Sequence, residues 1–458
     1  MRPPNFILML MDNLGYGDVG CYGSRMHRTP NIDRLAAEGL RFTSHYSCSG
    51  VCTPSRASLM TGCYPRRVNM HVSGNNQCVL FPADKKGLSP DERTIATVLR
   101  QQGYATGCVG KWHLGDQEPF LPVNHGFDSF FGCPYSEDMV PDAGHARKNW
   151  PPLPLMRDRT VVEAPADRTT LTRRYTEEAL RFMRANRDQP FFLYLPHAMP
   201  GSTDRPFSSD AFAGKSANGA YGDSIEELDW SAGMILDELH RLGIDDNTLV
   251  VWTSDNGAVG WQPRQGSNAP LRGWGYSTDE GGQRVPCIVR WNGHVAAGEV
   301  TDALSTMMDL LPTFARLAGT EPPPDRVIDG HDLQARLSGA ADASPYDDQG
   351  FFYYYREQLQ AVRAGPWKLY LPLARKLASL DGSLAKAKPA VLELYDVRHD
   401  ISETQEVSAA HPEVVQRLLR LADTARADLG DLEREGRGQR PAGWVDQPRP
   451  QVLLPPGA

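Results

Sequence analysis

Short, mainly apolar runs that stop abruptly at polar residues constrain this 458-residue chain more than any other feature. The first, Phe6-Ile7-Leu8-Met9-Leu10-Met11, ends at Asp12. Runs at residues 104–109, 191–195 and 249–254 behave the same way. A run without polar alternation is a strand buried on both faces, and such strands belong to parallel sheets covered by helices. The stretches between them carry the other half of the pattern. Over residues 224–242, Ile225, Leu228, Ala232, Ile235 and Leu239 fall on one helical face, and Gly243 follows as a stop. Ser89-Pro90-Asp91-Glu92 reads as a capping box that opens a helix with Ile95, Val98 and Leu99 inward, stopping near Gly103. Strand and helix alternate, which predicts an α/β fold with a mainly parallel sheet.

The pattern changes after about residue 345. Short strands are predicted at 351–355, 360–364, 367–371 and 392–397, the middle two joined by Gly365-Pro366. Pro412 then starts a helix with Val415, Leu418, Leu419 and Ala422 on one face. The expected organisation is a catalytic α/β domain over 1–345, a small antiparallel sheet with a helix over 346–435, and a tail over 436–458 that wraps the surface or is mobile. A hydrophobic fraction of 40% and a charged fraction of 23% suit a soluble globular enzyme. The N-terminal apolar run is too short for a signal peptide, so the chain reads as cytoplasmic as it stands, or as periplasmic or secreted if a leader has been removed. A net charge of −8 argues against nucleic acid or an anionic membrane as partner and repels anions at long range. The eight cysteines show no zinc-type spacing. They read as buried small hydrophobes, with one or two disulfides open to an exported protein.

Ligands of open α/β sheets bind beyond the carboxyl ends of the strands. There the sequence delivers Asp12-Asn13, then Gly110-Lys111-Trp112-His113, then Pro196-His197, then Asp255-Asn256-Gly257. Asp-Asn-Gly alone is an ordinary turn, but the four clusters together are not ordinary. Asp12, Asn13, Asp255 and Asn256 form an all-oxygen set, which suits Ca²⁺ or Mg²⁺ over zinc. Arg56 lies one helical turn after Cys52 and can brace it from the same face. Lys111 and His113 alternate in an extended segment, so both point one way.

The stretch Cys52-Thr53-Pro54-Ser55-Arg56, continued by Ala57-Ser58-Leu59-Met60-Thr61-Gly62, resembles the signature of the sulfatase family. The likeness extends to Leu14-Gly15-Tyr16-Gly17-Asp18, Gly110-Lys111-Trp112-His113-Leu114-Gly115, His125-Gly126-Phe127-Asp128 and Met308-Asp309-Leu310-Leu311-Pro312-Thr313. It is nearest the arylsulfatase A and N-acetylgalactosamine-6-sulfatase branch. The resemblance implies an alkaline-phosphatase-like α/β/α sandwich and a Cys52 oxidised to formylglycine by a separate maturation enzyme. It implies Ca²⁺ held by Asp12, Asn13, Asp255, Asn256 and residue 52. By the same resemblance Arg56 and Lys111 stabilise the nucleophile and the sulfate. His113 handles the proton when sulfate is expelled, and His197 contacts sulfate or the leaving oxygen. Ser136 matches a sulfate-proximal serine. The implied substrate is the sulfate ester of a carbohydrate or, second, an aryl sulfate.

Three departures accompany the likeness. Many members carry a second Asp where this chain has Asn13, a change that keeps an oxygen ligand and removes a charge. Relatives carry a sulfate-binding lysine at the position of Gly275 in Leu271-Arg272-Gly273-Trp274-Gly275-Tyr276. Its loss removes a charge-assisted contact of roughly 1.5–3 kcal/mol unless Arg272 or Arg264 reaches in. His197-Ala198-Met199-Pro200 runs into Gly201, where close relatives often have another histidine. Trp274, Tyr276 and Trp261 are candidates for stacking on a sugar or aryl ring, or ordinary packing. Two other readings stay open: a phosphate or phosphonate ester hydrolase of the same superfamily, and a sulfate-ester-binding protein that has lost catalysis.

Overall fold

Every residue of the first strand, β1 (Asn5–Asp12), is buried, as an unbroken apolar run requires when both faces of a sheet are covered. The structure, a computed structural model, describes residues 2–141, 150–260, 266–341, 343–373 and 391–453. In chain order the principal strands are β2 (Leu40–Tyr46), β3 (Ala105–Val109), β4 (Ser129–Gly132), β5 (Phe191–Pro200), β6 (Thr248–Ser254) and β7 (Arg284–Arg290). They lie in the order β2-β7-β6-β1-β5-β3-β4 within an eleven-stranded sheet. From β6 to β4 all neighbours are parallel. β7 runs antiparallel to both β6 and β2.

The period of two along β1 sorts the core into two layers. Phe6, Leu8 and Leu10 pack with residues of α1 (Cys52–Thr61) and α2 (Ile95–Gln101). Ile7, Met9 and Met11 pack with α3 (Leu171–Asn186) and α4 (Gly219–Leu242). The result is the expected three-layered α/β/α arrangement. The Phe6 ring stacks on Phe314 with centroids 4.4 Å apart, and each such buried side chain is worth about 1.5–3 kcal/mol.

Two expectations need correcting. Ser89 does not cap a helix: α2 begins at Ile95, and Thr94 is the cap, its side chain accepting from the Thr97 N–H. The Glu92 carboxylate that a capping box would have used is instead held by Arg440 at 2.7 and 3.0 Å. β5 also runs past 195 to Pro200, so His197 lies inside a strand rather than beyond its end.

The C-terminal part holds a separate antiparallel sheet of β8 (Phe351–Tyr355), β9 (Gln358–Ala364), β10 (Trp367–Tyr370) and β11 (Glu393–Asp396). Helix α5 (Pro412–Leu429) covers it with Val415, Leu418 and Ala422 buried. Its apolar residues continue the same core that holds Phe6 and Leu8. At the seam, buried Glu280 accepts from Tyr353 Oη at 2.9 Å and Lys368 Nζ at 2.8 Å, and also from Tyr46 Oη. The described part of the tail wraps the large sheet's domain: Gly443–Trp444 pairs with Lys86–Gly87, and Gln451 donates to the Asp116 carbonyl at 2.7 Å. Seven of the eight cysteines are buried, and Cys21 is partly exposed. Among the described residues no helix is long and apolar enough to cross a membrane.

Candidate active site

Parallel pairing brings the site together. β1 and β6 run in register to Met11 and Ser254, so Asp12 and Asp255 leave the sheet side by side. The Asp255 N–H donates to the Met11 carbonyl at 3.0 Å, and the Asn13 N–H returns to Asp255 Oδ1 at 3.0 Å. Asn13 sits at φ 58°, a left-handed conformation that asparagine tolerates better than most residues. Cys52 is the first residue of α1, whose ten residues are all buried. Pro54 is accommodated because the first turn has N–H groups to spare.

Arg56 reaches back along α1 as its spacing suggests, but toward the carboxylates rather than the sulfur. Its Nε donates to Asp255 Oδ2 at 2.9 Å, Nη2 to Asp12 Oδ1 at 3.0 Å and Nη1 to the Lys111 carbonyl. Lys111 Nζ lies 2.7 Å from Asp12 Oδ1, 3.0 Å from Ser136 Oγ and 3.5 Å from Cys52 Sγ. Cys52 Sγ is itself 3.3 Å from Asp12 Oδ1 and 3.9 Å from Asn13 Oδ1. Burial opposes ionisation of Asp12, yet Lys111 and Arg56 hold its carboxyl far below the usual range. Burial likewise disfavours the Lys111 cation, and Asp12 more than restores it. The Cys52 thiol is pushed well up by burial, then by Asp12 and Asp255, which leaves an unmodified thiol a poor nucleophile.

His113 joins the cluster by another route than strand alternation. Its φ of 61° turns the chain, and Nε2 donates to the Leu80 carbonyl at 2.9 Å. A carbonyl only accepts, so Nδ1 carries the lone pair, and it is buried with no partner. Burial and Lys111 hold the ring neutral. Thr53 Oγ1 donates to the His113 carbonyl at 3.1 Å, which ties this turn to α1.

The donors fit a hard dication. Ligand atoms of Asp12, Cys52 and Asp255 lie within 4.8 Å of one another. Asp12 Oδ2 and Asn256 Oδ1 are buried oxygens with no hydrogen-bond partner. Asn13 and Asn256 add neutral oxygens, as Ca²⁺ and Mg²⁺ sites use.

Three residues expected to meet the substrate have these surroundings. His197 lies on the side of β5 that faces the α3–α4 layer, with Nε2 3.1 Å from Ser231 Oγ and the ring 6.4 Å from that of Tyr175, while its buried Nδ1 has no hydrogen-bond partner. Arg272 donates to Glu403 at 3.2 Å and lies over the Tyr370 and Tyr395 rings, so it cannot replace a lysine at 275. Trp274 lies against Gly260 and lines a surface pocket with Met26, Asn218 and Leu271. Arg264 and Trp261 lie outside the described residues. Tyr276 is buried rather than at a rim, its N–H donating to the Gly50 carbonyl at 2.7 Å. A Cβ at Gly275 would stand 2.7 Å from the Gly257 carbonyl oxygen, so the backbone here has closed over the position.

Sequence reasoning missed Glu137. It is fully buried, and its Oε2 accepts from Ser136 Oγ at 3.1 Å. An acidic pair, Glu137-Asp138, directly after a candidate serine was the available signal. It also missed Ser202, which accepts from Asn13 Nδ2 at 2.8 Å.

The family model described as Sulfatase matches residues 4–320. Human arylsulfatase A is 37% identical, the match covering all of this chain and 94% of that protein. Mouse N-acetylgalactosamine-6-sulfatase is 41% identical over 81% of this chain and 72% of its own length. Among solved structures, Ps i-CgsB in complex with k-i-k-neocarrahexaose superposes with a TM-score of 0.77 at 29% identity, covering 92% of each chain.

Proposed function

The chain belongs to the sulfatase family and is a sulfuric ester hydrolase, and from that premise we propose that it removes sulfate from a saccharide at a site built around residue 52. One observation carries the assignment of the site. A helix-leading cysteine, a buried lysine and arginine, and two unspent buried oxygens, Asp12 Oδ2 and Asn256 Oδ1, meet at the ends of β1 and β6. Oxidised to formylglycine by a separate maturation enzyme, and with Ca²⁺ on Asp12, Asn13, Asp255 and Asn256, residue 52 supplies a hydroxyl nucleophile and the metal a Lewis acid.

The chain's own groups do the rest. Lys111 Nζ stands between Cys52 and Ser136 and brings its positive charge to a sulfate oxygen held there. Arg56 acts through the carboxylates, fixing Asp12 and Asp255 relative to α1. His113 holds a free lone pair at Nδ1 and takes the proton when sulfate is released. His197, braced at Nε2 by Ser231, keeps an unpartnered Nδ1 for a sulfate or leaving-group oxygen, and Arg272 is a scaffold residue held by Glu403. The saccharide assignment is supported by N-acetylgalactosamine-6-sulfatase and by the neocarrahexaose complex of a structural neighbour.

A peptide mass spectrum across Cys52, from protein co-expressed with a formylglycine-generating enzyme, tests the nucleophile. Conversion followed by sulfate release from a panel of sulfated sugars is the expected result. Unmodified cysteine, or matured protein that cleaves matched phosphate or phosphonate esters faster than sulfates, overturns it.

A further inference from the structure

We propose that Glu137 is the proton donor to the leaving oxygen of the ester. Its side chain is wholly buried, yet Oε1 has no hydrogen-bond partner, a costly arrangement for an acceptor that has nothing to do. The other oxygen is tied to the site, since Ser136 Oγ donates to Oε2 at 3.1 Å and accepts from Lys111 Nζ at 3.0 Å. Lys111 in turn stands 3.5 Å from Cys52 Sγ. The carboxyl is therefore three polar contacts from the nucleophile position, beyond the lysine and serine that meet the sulfate.

The neighbourhood also makes room for it. Gly201, whose N–H donates to the Asp12 carbonyl at 3.0 Å, has no side chain, and a Cβ there would fall 2.2 Å from Glu137 Oε1. The free oxygen thus occupies the space that any other residue at 201 would fill. That space lies one residue past the end of β5, beside metal-ligand Asp12.

The groups facing Glu137 are Asp138 and Asp12, Lys111 through Ser136, Cys133 and Tyr175 from β4's end and α3, and Arg168, whose Nη1 donates to the Glu137 carbonyl at 3.4 Å. Burial, then Asp138, pushes the carboxyl up to about 8, while Lys111 pulls the other way. At neutral pH it carries its proton. When the sulfur–oxygen ester bond breaks, its electron pair stays on the leaving oxygen, and that oxygen takes the Glu137 proton to become an alcohol. The carboxylate left behind recovers a proton from water as the alcohol departs.

A sugar hydroxyl is a poor leaving group and needs this proton, whereas a nitrophenolate does not. The proposal rests on the sulfate-ester reading above. In Glu137→Gln, general-acid loss of about 100-fold in kcat/KM is expected on an alkyl or sugar sulfate, against roughly threefold or less on nitrophenyl sulfate. Equal losses on both esters, or none on either, overturn the proposal. Wild-type protein supplies a test that needs no variant: kcat/KM for the sugar sulfate falls as pH rises through about 8, and that for nitrophenyl sulfate does not. Identical basic limbs refute it. A readout free of turnover uses the unconverted Cys52 protein, in which infrared spectra show a protonated-carboxyl band that disappears in Glu137→Gln. Absence of that band overturns the proposal whatever the activity. Matured wild-type protein that releases sulfate from neither ester sinks the sulfatase reading instead, and the band still reports on Glu137.

Discussion

Arg56→Met is the most revealing single perturbation of the site. Arg56 is wholly buried and spans Asp12, Asp255 and the Lys111 carbonyl. Methionine keeps most of the volume and removes every donor. Asp12 then retains Lys111, but Asp255 keeps only the Asn13 N–H among the contacts described above. Breaking a buried pair by deleting one partner costs about 3–5 kcal/mol. Unfolding entropy near 2.1 cal/mol/K per residue gives about 1 kcal/mol/K for a chain of this size, so Tm should fall by about 3–5 °C. The assay is a thermal melt at pH 7 in a chelator, where no dication can compensate the stranded carboxylate. Arg56→Lys, which keeps the charge but reaches fewer partners, should fall between the two. The pH dependence has a definite sign. The folded Asp12 carboxyl lies below its unfolded value of 3.8, so its contribution is present above that value and is lost as pH falls toward the folded one. Burial and Asp12 push the folded Asp255 carboxyl up to about 7, so its share of the gap between wild type and Arg56→Met shrinks as pH falls from 7 to 5. The Asp12 share shrinks below about 4, where a protonated carboxyl no longer needs its cation. A variant melting within about 1 °C of wild type at pH 7, or a gap that widens in acid, would refute the reasoning.

Two further outcomes follow from the same geometry. Cys52→Ser should lose sulfate release while keeping the wild-type circular dichroism spectrum, and full turnover by that variant would sink the assignment of residue 52. Calcium at 100 times its Kd should stabilise the protein by about 2.7 kcal/mol. A chelator should reverse this, and Asp12→Asn with Asn256→Ala should abolish the response in a melt.

The strands were legible because they are buried on both faces, and residues 5–11 needed no more than their lack of alternation. Asp12, Lys111 and Asp255 followed at once, since a parallel sheet delivers its strand ends to one edge. The start of α2 was not legible, because Glu92 could as well cap a helix as bind an arginine 348 residues away, and Arg440 decided it. The place of His197 was not legible for a related reason. The strand was expected to stop before it, and only the continuation of β5 to Pro200 sets its Nε2 on Ser231 and leaves Nδ1 unpartnered. Arg272 looked free to reach the site until Glu403 and two tyrosines, more than 95 residues downstream, claimed its guanidinium. Glu137 was passed over because the acidic pair after Ser136 marks a carboxyl there but not its burial or its unspent oxygen, which are properties of packing.

The departures at Asn13 and Gly275 look like separate defects when taken one at a time, yet they cancel. A second aspartate beside Asp12 and a lysine at 275 would add one negative and one positive charge to the same pocket, and here both are missing. Asp12 and Asp255 then balance Arg56 and Lys111, so attraction for a sulfate falls to the bound dication, against a net chain charge of −8. Asn13→Asp restores one half of the lost pair without the other. The new carboxylate should tighten calcium binding in a calorimetric titration. It should also repel the substrate: unit charges about 6 Å apart at an effective dielectric near 20 interact by roughly 3 kcal/mol. The bound dication beside the new carboxylate offsets part of this, leaving KM for a sugar sulfate about tenfold higher at saturating calcium. Gly275→Lys cannot complete the pair, because its Cβ would press on the Gly257 carbonyl at 2.7 Å. If Asn13→Asp binds calcium more tightly and leaves KM unchanged, the two departures are independent, and a cation other than Arg56 and Lys111 must be meeting the sulfate.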